Sequence, residues 1–348
     1  MKKVLAKIFR RSSDDKPSRI TNDTVAEHRE RVLAGGRRFK YPIQYVKHKL
    51  IINTIVISVV SIAGLVFIGW WQLYSVQNTS DFMYRTTRVL PLAVASVDGY
   101  PVPYSDYLMK YRSAVHYLET KEQINLNSDD GRLQAKFIKE QSIDDAVADA
   151  YAAKLAKDLK ITVSDAELEA FLKFQRQSSD GEVSEQTYNS VILDYYNWTP
   201  DEYRYATKSK LLRQKVSYAV DIDANTLLDS IKPKIKDGID VKALSESIKP
   251  VGGSKISYGV SGWVPRVNQD GGLSTAAVKL KKGGLSGVVE STSGDGYYFV
   301  KLVDINSTQV RYEYIRIPLS VFNNKLQKLI DEDKVNMYIE VDRQESER

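Results

Sequence analysis

Groups able to do chemistry are scarce in this sequence. It holds no cysteine and only three histidines in 348 residues. Without thiols there are no disulfides, no Cys-ligated zinc and no thiol nucleophile. His28 and His48 lie before or at a long apolar stretch, and His116 lies beyond it. A mechanism that needs two histidines on the far side of that stretch is therefore excluded, and His116 reads as a packed or surface residue. The carboxylate pairs Asp129-Asp130 and Asp144-Asp145 lack histidine partners and calcium-loop spacing, so they read as a helix start and a solvated face. Glycine pairs at 252–253, 271–272 and 283–284 do not form a phosphate loop. Neither a metal nor a cofactor is expected. What is plentiful is tyrosine, 22 residues. Tyr195, Tyr196, Trp198, Tyr203 and Tyr205 gather near one helix start, where they could line a groove for extended, unfolded segments, because aromatic rings pair large contact area with a polar handle. Core packing is the commoner fate of such clusters and is the reading preferred from sequence.

The element that organises the chain is Leu50–Trp70, twenty-one residues without a charge. At about 1.5 Å per residue such a helix reaches roughly 31 Å, enough to cross a bilayer core. Lys47, His48 and Lys49 precede it, and Trp70, Trp71 and Tyr74 close it as an interfacial belt would. Residues 1–49 carry fourteen Lys/Arg against five Asp/Glu, a net of +9, whereas the rest of the chain nets −3. Positive charge crowding one side of a span places that side in the cytoplasm. The span begins too far into the chain, and is too long, for a cleaved signal peptide. Residues 50–71 are thus expected to be a transmembrane signal anchor, with 1–49 a cytoplasmic tail and the remainder extracytoplasmic. Residues 1–40 look disordered, and topology-setting charge with attraction to anionic lipid explains their basicity more simply than nucleic-acid binding.

Beyond the anchor, 72–91 reads as a tether. Val94–Val97 reads as a strand, Asp98-Gly99 as a turn, and Ser105 as the N-cap of a helix carrying Tyr107, Leu108, Tyr111, Ala114, Val115 and Leu118 at helical spacing. A second helix is expected from Arg132 to Leu159, with Phe137, Ile143, Val147, Ala150, Tyr151 and Leu155 as its apolar positions. Ser164 with Glu167 forms a capping box opening a third, Ser184–Tyr196 reads as a fourth, and Thr199-Pro200 with Glu202 opens a fifth.

This order, VA-VDG-PV-Y-DY, then AKLAKDLKITVSDAELEAFL, then WTPDEYRYATKSKLLRQKV, resembles the N-terminal domain of the SurA, PrsA and PpiD extracytoplasmic chaperones over residues 92–220. Asp98 stands where the family usually has Asn, and Lys160 where it usually has Gly, a substitution that costs a little if the position is left-handed. From Asp221 the composition shifts to glycine, serine and β-branched residues. Ala224–Gly238 reads as a helix interrupted by Pro233. Further on, DGIDVKALSESI, SYGVSGWVPR and AVKLKKGGLSGVVESTSGDGYYFVKLVD resemble the parvulin-type prolyl isomerases through Gly259, Gly262, Trp263, Pro265 and Arg266, then Ala277, Leu280, Gly283, Ser286, Gly296, Tyr297, Val300, Lys301 and Leu302.

The resemblance implies a peptide-binding face, and its departures bear on the chemistry. The last-strand histidine of active parvulins falls at Tyr298, and their pocket methionine and phenylalanine align with Gln269 and Leu273. Their first strand has no counterpart before residue 224 except the weak KVSYAV. VRYEYIRI, Val310–Ile317, matches that strand well, with Tyr314 in the place of its histidine. A strand at 310–317 either hairpins along 296–303 and fills that slot or forms an ordinary terminal hairpin, with Ser320–Glu332 as a closing helix.

The expected fold is therefore a single transmembrane helix, then a mainly α SurA-N-like domain (92–220), then a small α+β parvulin-like domain with an antiparallel-rich sheet (221–317), then a C-terminal helix and tail (318–348). The peptide-binding candidates are Gln269, Leu273, Tyr298, Tyr314 and Trp263. The expected partners are unfolded or newly secreted polypeptides, and the lipid bilayer through residues 50–71. The expected function is a membrane-anchored extracytoplasmic chaperone or foldase with little or no isomerase activity. An active parvulin and a non-catalytic cell-surface scaffold are the alternatives.

Overall fold

The computed structural model describes residues 21–40, 42–178, 181–236 and 238–341. The chain forms two compact units, one ending at Gln72 and one beginning at Leu73. The first contains helix α1 (Asn22–Lys40) and nearly all of α2 (Pro42–Tyr74). Residues 22–40 are helical, contrary to the expectation of disorder. Ala, Leu, Arg and Glu are good helix formers, and Thr21 and Thr24 bond each other's backbone N–H groups at the helix start. The expectation for residues 1–20 lies outside the described residues. Within α2, His48–Tyr74 is a 27-residue stretch long and apolar enough to cross a membrane. From Leu50 to Ile68 every side chain is exposed, so this apolar surface is not covered by the fold.

The second unit opens with α3 (Asp81–Val89), which replaces the expected tether at 72–91. Ser80 caps it by accepting from the Met83 N–H, and Tyr84 and Thr87 are buried. Next come β1 (Ala93–Val97) and β2 (Tyr100–Pro103), joined at Asp98-Gly99. Both turn residues have positive φ, 47° and 77°, the conformation a tight hairpin demands and one that Asp and Gly tolerate. Helix α4 (Tyr104–Thr120) starts one residue before the expected Ser105 cap, with Pro103 at the cap position. The cause is local: the Tyr104 N–H donates to Leu92 O at 2.8 Å, so β2 runs straight into the helix.

Helix α5 (Asp129–Leu159) is capped by Ser128 and ends at Lys160 in the left-handed region, φ 56°. Its core row is Ile138, Ala146 and Ala150 beside Ile143, Val147 and Tyr151. Phe137, expected inside, sits one position off that row and is 61% exposed. Helix α6 (Asp165–Gln175) has its Ser164/Glu167 capping box. A two-residue ribbon follows, β3 (Gln177–Ser178) with β4 (Gly181–Glu182). Then come α7 (Glu185–Tyr196), capped by Ser184, and α8 (Pro200–Val220), whose Thr199/Glu202 capping box and first-position proline are both present.

Helix α9 (Ile222–Ile231) gives way to a 3-10 turn at Lys232–Lys234, where Pro233 ends it as its ring geometry requires. After α10 (Val241–Ser247) come β5 (Ser257–Val260), β6 (Val264–Pro265), α11 (Leu273–Val278), β7 (Val289–Glu290), β8 (Gly296–Ile305) and β9 (Gln309–Pro318). The sheet runs β5-β9-β8-β7, with β6 also on β9, and every pairing is antiparallel. β9 is therefore interior, flanked on both sides, and not the outer arm of a terminal hairpin. Period-2 alternation splits its contacts: Tyr297, Phe299, Ile315 and Ile317 pack on α9 and α10, while Tyr298, Val300, Leu302, Val310 and Tyr312 pack with Leu273 and Ala277 of α11.

The chain then returns to the helical region. Helix α12 (Val321–Asp331) and β10 (Val335–Met337) complete it. β10 pairs with β1, matching Ala95 to Met337 and Val97 to Val335. Phe322 and Ile339 sit in the same core as Val94, Tyr104, Leu108, Ile143 and Val216. Residues 318–341, expected as a helix and tail, are thus integral to the helical core. The sheet region is an insertion between α8 and α12. Asp221, fully buried, binds both crossings: Oδ1 accepts from the Ala224 N–H, and Oδ2 accepts from the Ser320 and Val321 N–H groups.

Candidate functional site

Two surfaces carry the residues singled out by the sequence. On the sheet, the register pairs Tyr298 with Arg316 and Val300 with Tyr314, which makes Tyr298 and Tyr314 diagonal neighbours on one face. Their ring centroids lie 5.6 Å apart, and Tyr312 follows at 6.2 Å from Tyr314. Leu273 belongs to the same cluster. Gln269 and Trp263 are exposed on the chain between β5 and α11, outside that buried cluster. The fold thus gathers three of the five expected residues.

Carboxylates hold the tyrosines. The Tyr298 hydroxyl donates to Asp295 Oδ2 at 2.5 Å, and the Tyr312 hydroxyl to Asp270 Oδ2 at 2.7 Å. Arg316 pairs with Asp295 at 3.1 Å. Asp270 also accepts from the Ser274 N–H and hydroxyl, which ties the 266–272 loop to α11. Burial, then the hydrogen bond to the adjacent carboxylate and its negative charge, push both phenols well above the usual tyrosine range. Tyr298 and Tyr312 are therefore neutral donors already committed to an acceptor. Neither can exchange a proton near neutral pH as a histidine does. Gly259 makes room for this arrangement, because a Cβ there would meet the Tyr314 ring at 2.4 Å.

The second surface lies on the helical region. A cleft of about 370 Å³ runs between α3, α4 and the α7–α8 junction. Its apolar lining is Tyr84, Met109, Leu193, Tyr196 and Trp198, and its charged lining is Arg85, Arg88, Arg112, Asp81 and Glu202. Tyr196 stacks on Trp198 at 5.2 Å, and the Trp198 indole N–H donates to Met109 O at 3.3 Å. A hollow of about 240 Å³, reaching Tyr205 and Asp106, shares Tyr84, Arg88, Met109 and Glu202 with it. Of the aromatic cluster expected mainly in the core, Tyr195, Tyr196 and Tyr205 are each more than 40% exposed. They surround the N-terminus of α8, where the left-handed Asn197 turns the chain and leaves the rings at the surface.

Glu202 is the hub of the cleft. It closes the capping box of α8 by accepting from the Thr199 N–H and hydroxyl, and its other oxygen accepts from the Tyr84 hydroxyl at 2.6 Å and from Arg88 at 3.2 Å. Burial opposes its ionisation, yet the Tyr84 and Thr199 hydrogen bonds and Arg88 outweigh it and hold the carboxyl below its usual range. Burial and the Glu202 contact in turn push the Tyr84 phenol up. Tyr84 and Arg88 escape a reading from sequence because α3 has the composition of a linker, and Arg112 of α4 because its partners Asp81 and Tyr84 lie on that helix. The Ser80-Asp81 start with Arg88 in the last turn is the signal that marks a helix there. His116 is a surface residue whose Nε2 lies 3.0 Å from Asp194 O, and Asp129-Asp130 form the first turn of α5.

No match to the chain is found among curated proteins. Residues 43–217, half of the chain, match the SurA-like N-terminal domain, a stretch that includes the α3, α4, α7 and α8 residues lining the cleft. With a helical region built in the order its sequence pattern implies, and that match across half its length, the chain belongs to the SurA-like N-terminal domain family and is a chaperone of the SurA, PrsA and PpiD type.

Proposed function

We propose that this chain is a single-pass, membrane-anchored chaperone that holds unfolded secreted polypeptides outside the cytoplasm, with the aromatic cleft between α3, α4 and α8 as its client site. The observation that carries the reading is that cleft, an open apolar floor in the SurA-like region of the fold. Burying an apolar side chain there offers roughly 25 cal/mol per Å², a weak and sequence-tolerant gain suited to transient holding. The anchor is supported by the uncovered apolar surface of α2 and the +9 tail before it.

The insertion after α8 is a parvulin-like module without isomerase activity. The reading is supported by β9, which runs between β5 and β8 as a replacement first strand would, and by Tyr298, Tyr314 and Leu273 sharing one face. Rotation of an X-Pro bond must cross a barrier of about 20 kcal/mol, and a catalyst must favour the twisted amide over the planar one. The Tyr298 and Tyr312 hydroxyls are spent on Asp295 and Asp270. The exposed Gln269 stands where the resemblance puts the pocket methionine, which leaves that face without it.

The test is suppression of aggregation of a chemically unfolded client by the full chain in detergent micelles. Trp198→Ala should remove most of the protection, and substitutions at Tyr298 should not. Full protection by the Trp198 variant would refute the assignment of the cleft. A proline-peptide assay on the same preparation should show no acceleration above buffer.

A further inference from the structure

We propose that the cleft selects client segments in which an acidic side chain lies within about two residues of an apolar one. The inference rests on the cleft being the client site and concerns what that site prefers.

Three guanidinium groups face two carboxylates in the lining. An ionised carboxylate has about four acceptor positions. Glu202 fills all four, with the Thr199 N–H, the Thr199 hydroxyl, the Tyr84 hydroxyl and one N–H of Arg88. It is thus a closed structural element that offers nothing further to a cation or a client donor. Asp81 takes Arg85 on one oxygen at 2.6 Å and Arg112 on the other at 3.1 Å. Each guanidinium carries five N–H donors in a fixed fork. Arg85 and Arg88 each spend few of theirs on these partners, so the rim keeps spare donors, and the cleft's own lining carries one more positive than negative group.

The rim is also held in place. Arg112 lies over the Tyr84 ring at 5.0 Å and Arg88 at 5.9 Å. Tyr84 is itself fixed by its bond to Glu202. Two of the three guanidinium groups are therefore ordered before a client arrives, which lowers the entropic cost of a bidentate carboxylate contact. The apolar floor of Tyr196, Trp198 and Leu193 belongs to the same cleft. An extended chain advances about 3.3 Å per residue, so an apolar side chain on the floor brings its near neighbours to the rim. A basic neighbour would meet like charge there.

The test uses the full chain in detergent micelles and two fluorophore-labelled ten-residue peptides. They share one phenylalanine and differ only in Glu or Gln on either side of it. By anisotropy at about 50 mM salt, the Glu peptide should bind about tenfold more tightly. At 1 M salt, where screening acts within about 3 Å, the ratio should fall to about twofold. Arg85→Gln with Arg88→Gln should bring the two peptides to parity. Arg85→Gln alone, whose side chain is 78% exposed and whose loss leaves the core intact, should cut the ratio to about threefold. Equal affinities in the unsubstituted chain, or a tenfold ratio that survives both substitutions, would overturn the proposal while leaving the cleft as the client site. Failure of both peptides to bind, or binding untouched by Trp198→Ala, would instead overturn the client-site reading itself.

Discussion

Replacing Asp221 with Asn should loosen the return of the chain from the sheet to the helical core. The side chain is fully buried, and its two oxygens do different work. Oδ1 caps α9 through the Ala224 N–H at 2.9 Å, while Oδ2 receives the Ser320 and Val321 N–H groups at 2.7 and 3.0 Å. Asn is as good a helix cap as Asp, so its single oxygen serves α9 and its NH₂ then faces two N–H donors. Two hydrogen bonds to a charged acceptor are lost, each contributing about 1.5–3 kcal/mol, and the orphaned donors keep part of that cost through local water. A net loss of about 3 kcal/mol follows, which is roughly a hundredfold in an opening equilibrium at 1.4 kcal/mol per decade. Hydrogen exchange by mass spectrometry should show segment 318–325 exchanging about a hundredfold faster, with the centre of α5 unchanged. Asp221→Ala should add the α9 cap, about 1 kcal/mol more. An acceleration below about threefold in the Asn variant would refute the claim that this carboxylate closes the crossing.

Three further outcomes are expected. Gly259→Ala places a methyl group against the Tyr314 ring and should cost about 1–3 kcal/mol by overpacking; thermal unfolding should show most of that cost vanish when Tyr314→Ala is added. Lys160→Gly relieves a left-handed Lys at the end of α5, a strain of about 1–2 kcal/mol offset in part by the greater freedom of Gly when unfolded. The melting temperature should therefore rise by a few degrees, and a fall would be inconsistent with the cap geometry. The Lys215 bond, then the Ser164 backbone and hydroxyl, pull the Glu167 carboxyl from 4.5 to about 2. Because the folded value is the lower one, its stabilisation is fully present above about pH 4.5 and is lost as pH falls toward 2. An NMR titration should place its midpoint near 2, and a midpoint near 4.5 would remove both contacts.

Local rules carried far along this chain. The Ser164 and Thr199 boxes, the Asp98-Gly99 turn and the break at Pro233 are each decided by neighbours within four residues, so they were legible in the residues themselves. The antiparallel partnership of 296–305 with 309–318 was legible as well, through alternation and a short loop. What escaped was settled by distant contacts. Helix α3 passes for a linker because its few apolar residues gain burial only against α4 and α8. Phe137 and Ile138 are adjacent and equally apolar, and only the position of the facing helices selects between them. The surface position of Tyr195 and Tyr196 depends on the left-handed turn at Asn197. No local pattern announces that Met337 will face Ala95, 242 positions earlier in the chain.

That last pairing bears on how the protein matures. A ribosome releases β1 and β2 long before β10, so the three-stranded ribbon and the pocket for Ile339 stay open until nearly all of the described chain has emerged. The intervening sheet module can fold meanwhile, since its own strands and helices are contiguous. A chaperone of this type must therefore itself pass through a stage with an exposed strand edge, which closes only once residues 335–337 arrive to pair with β1.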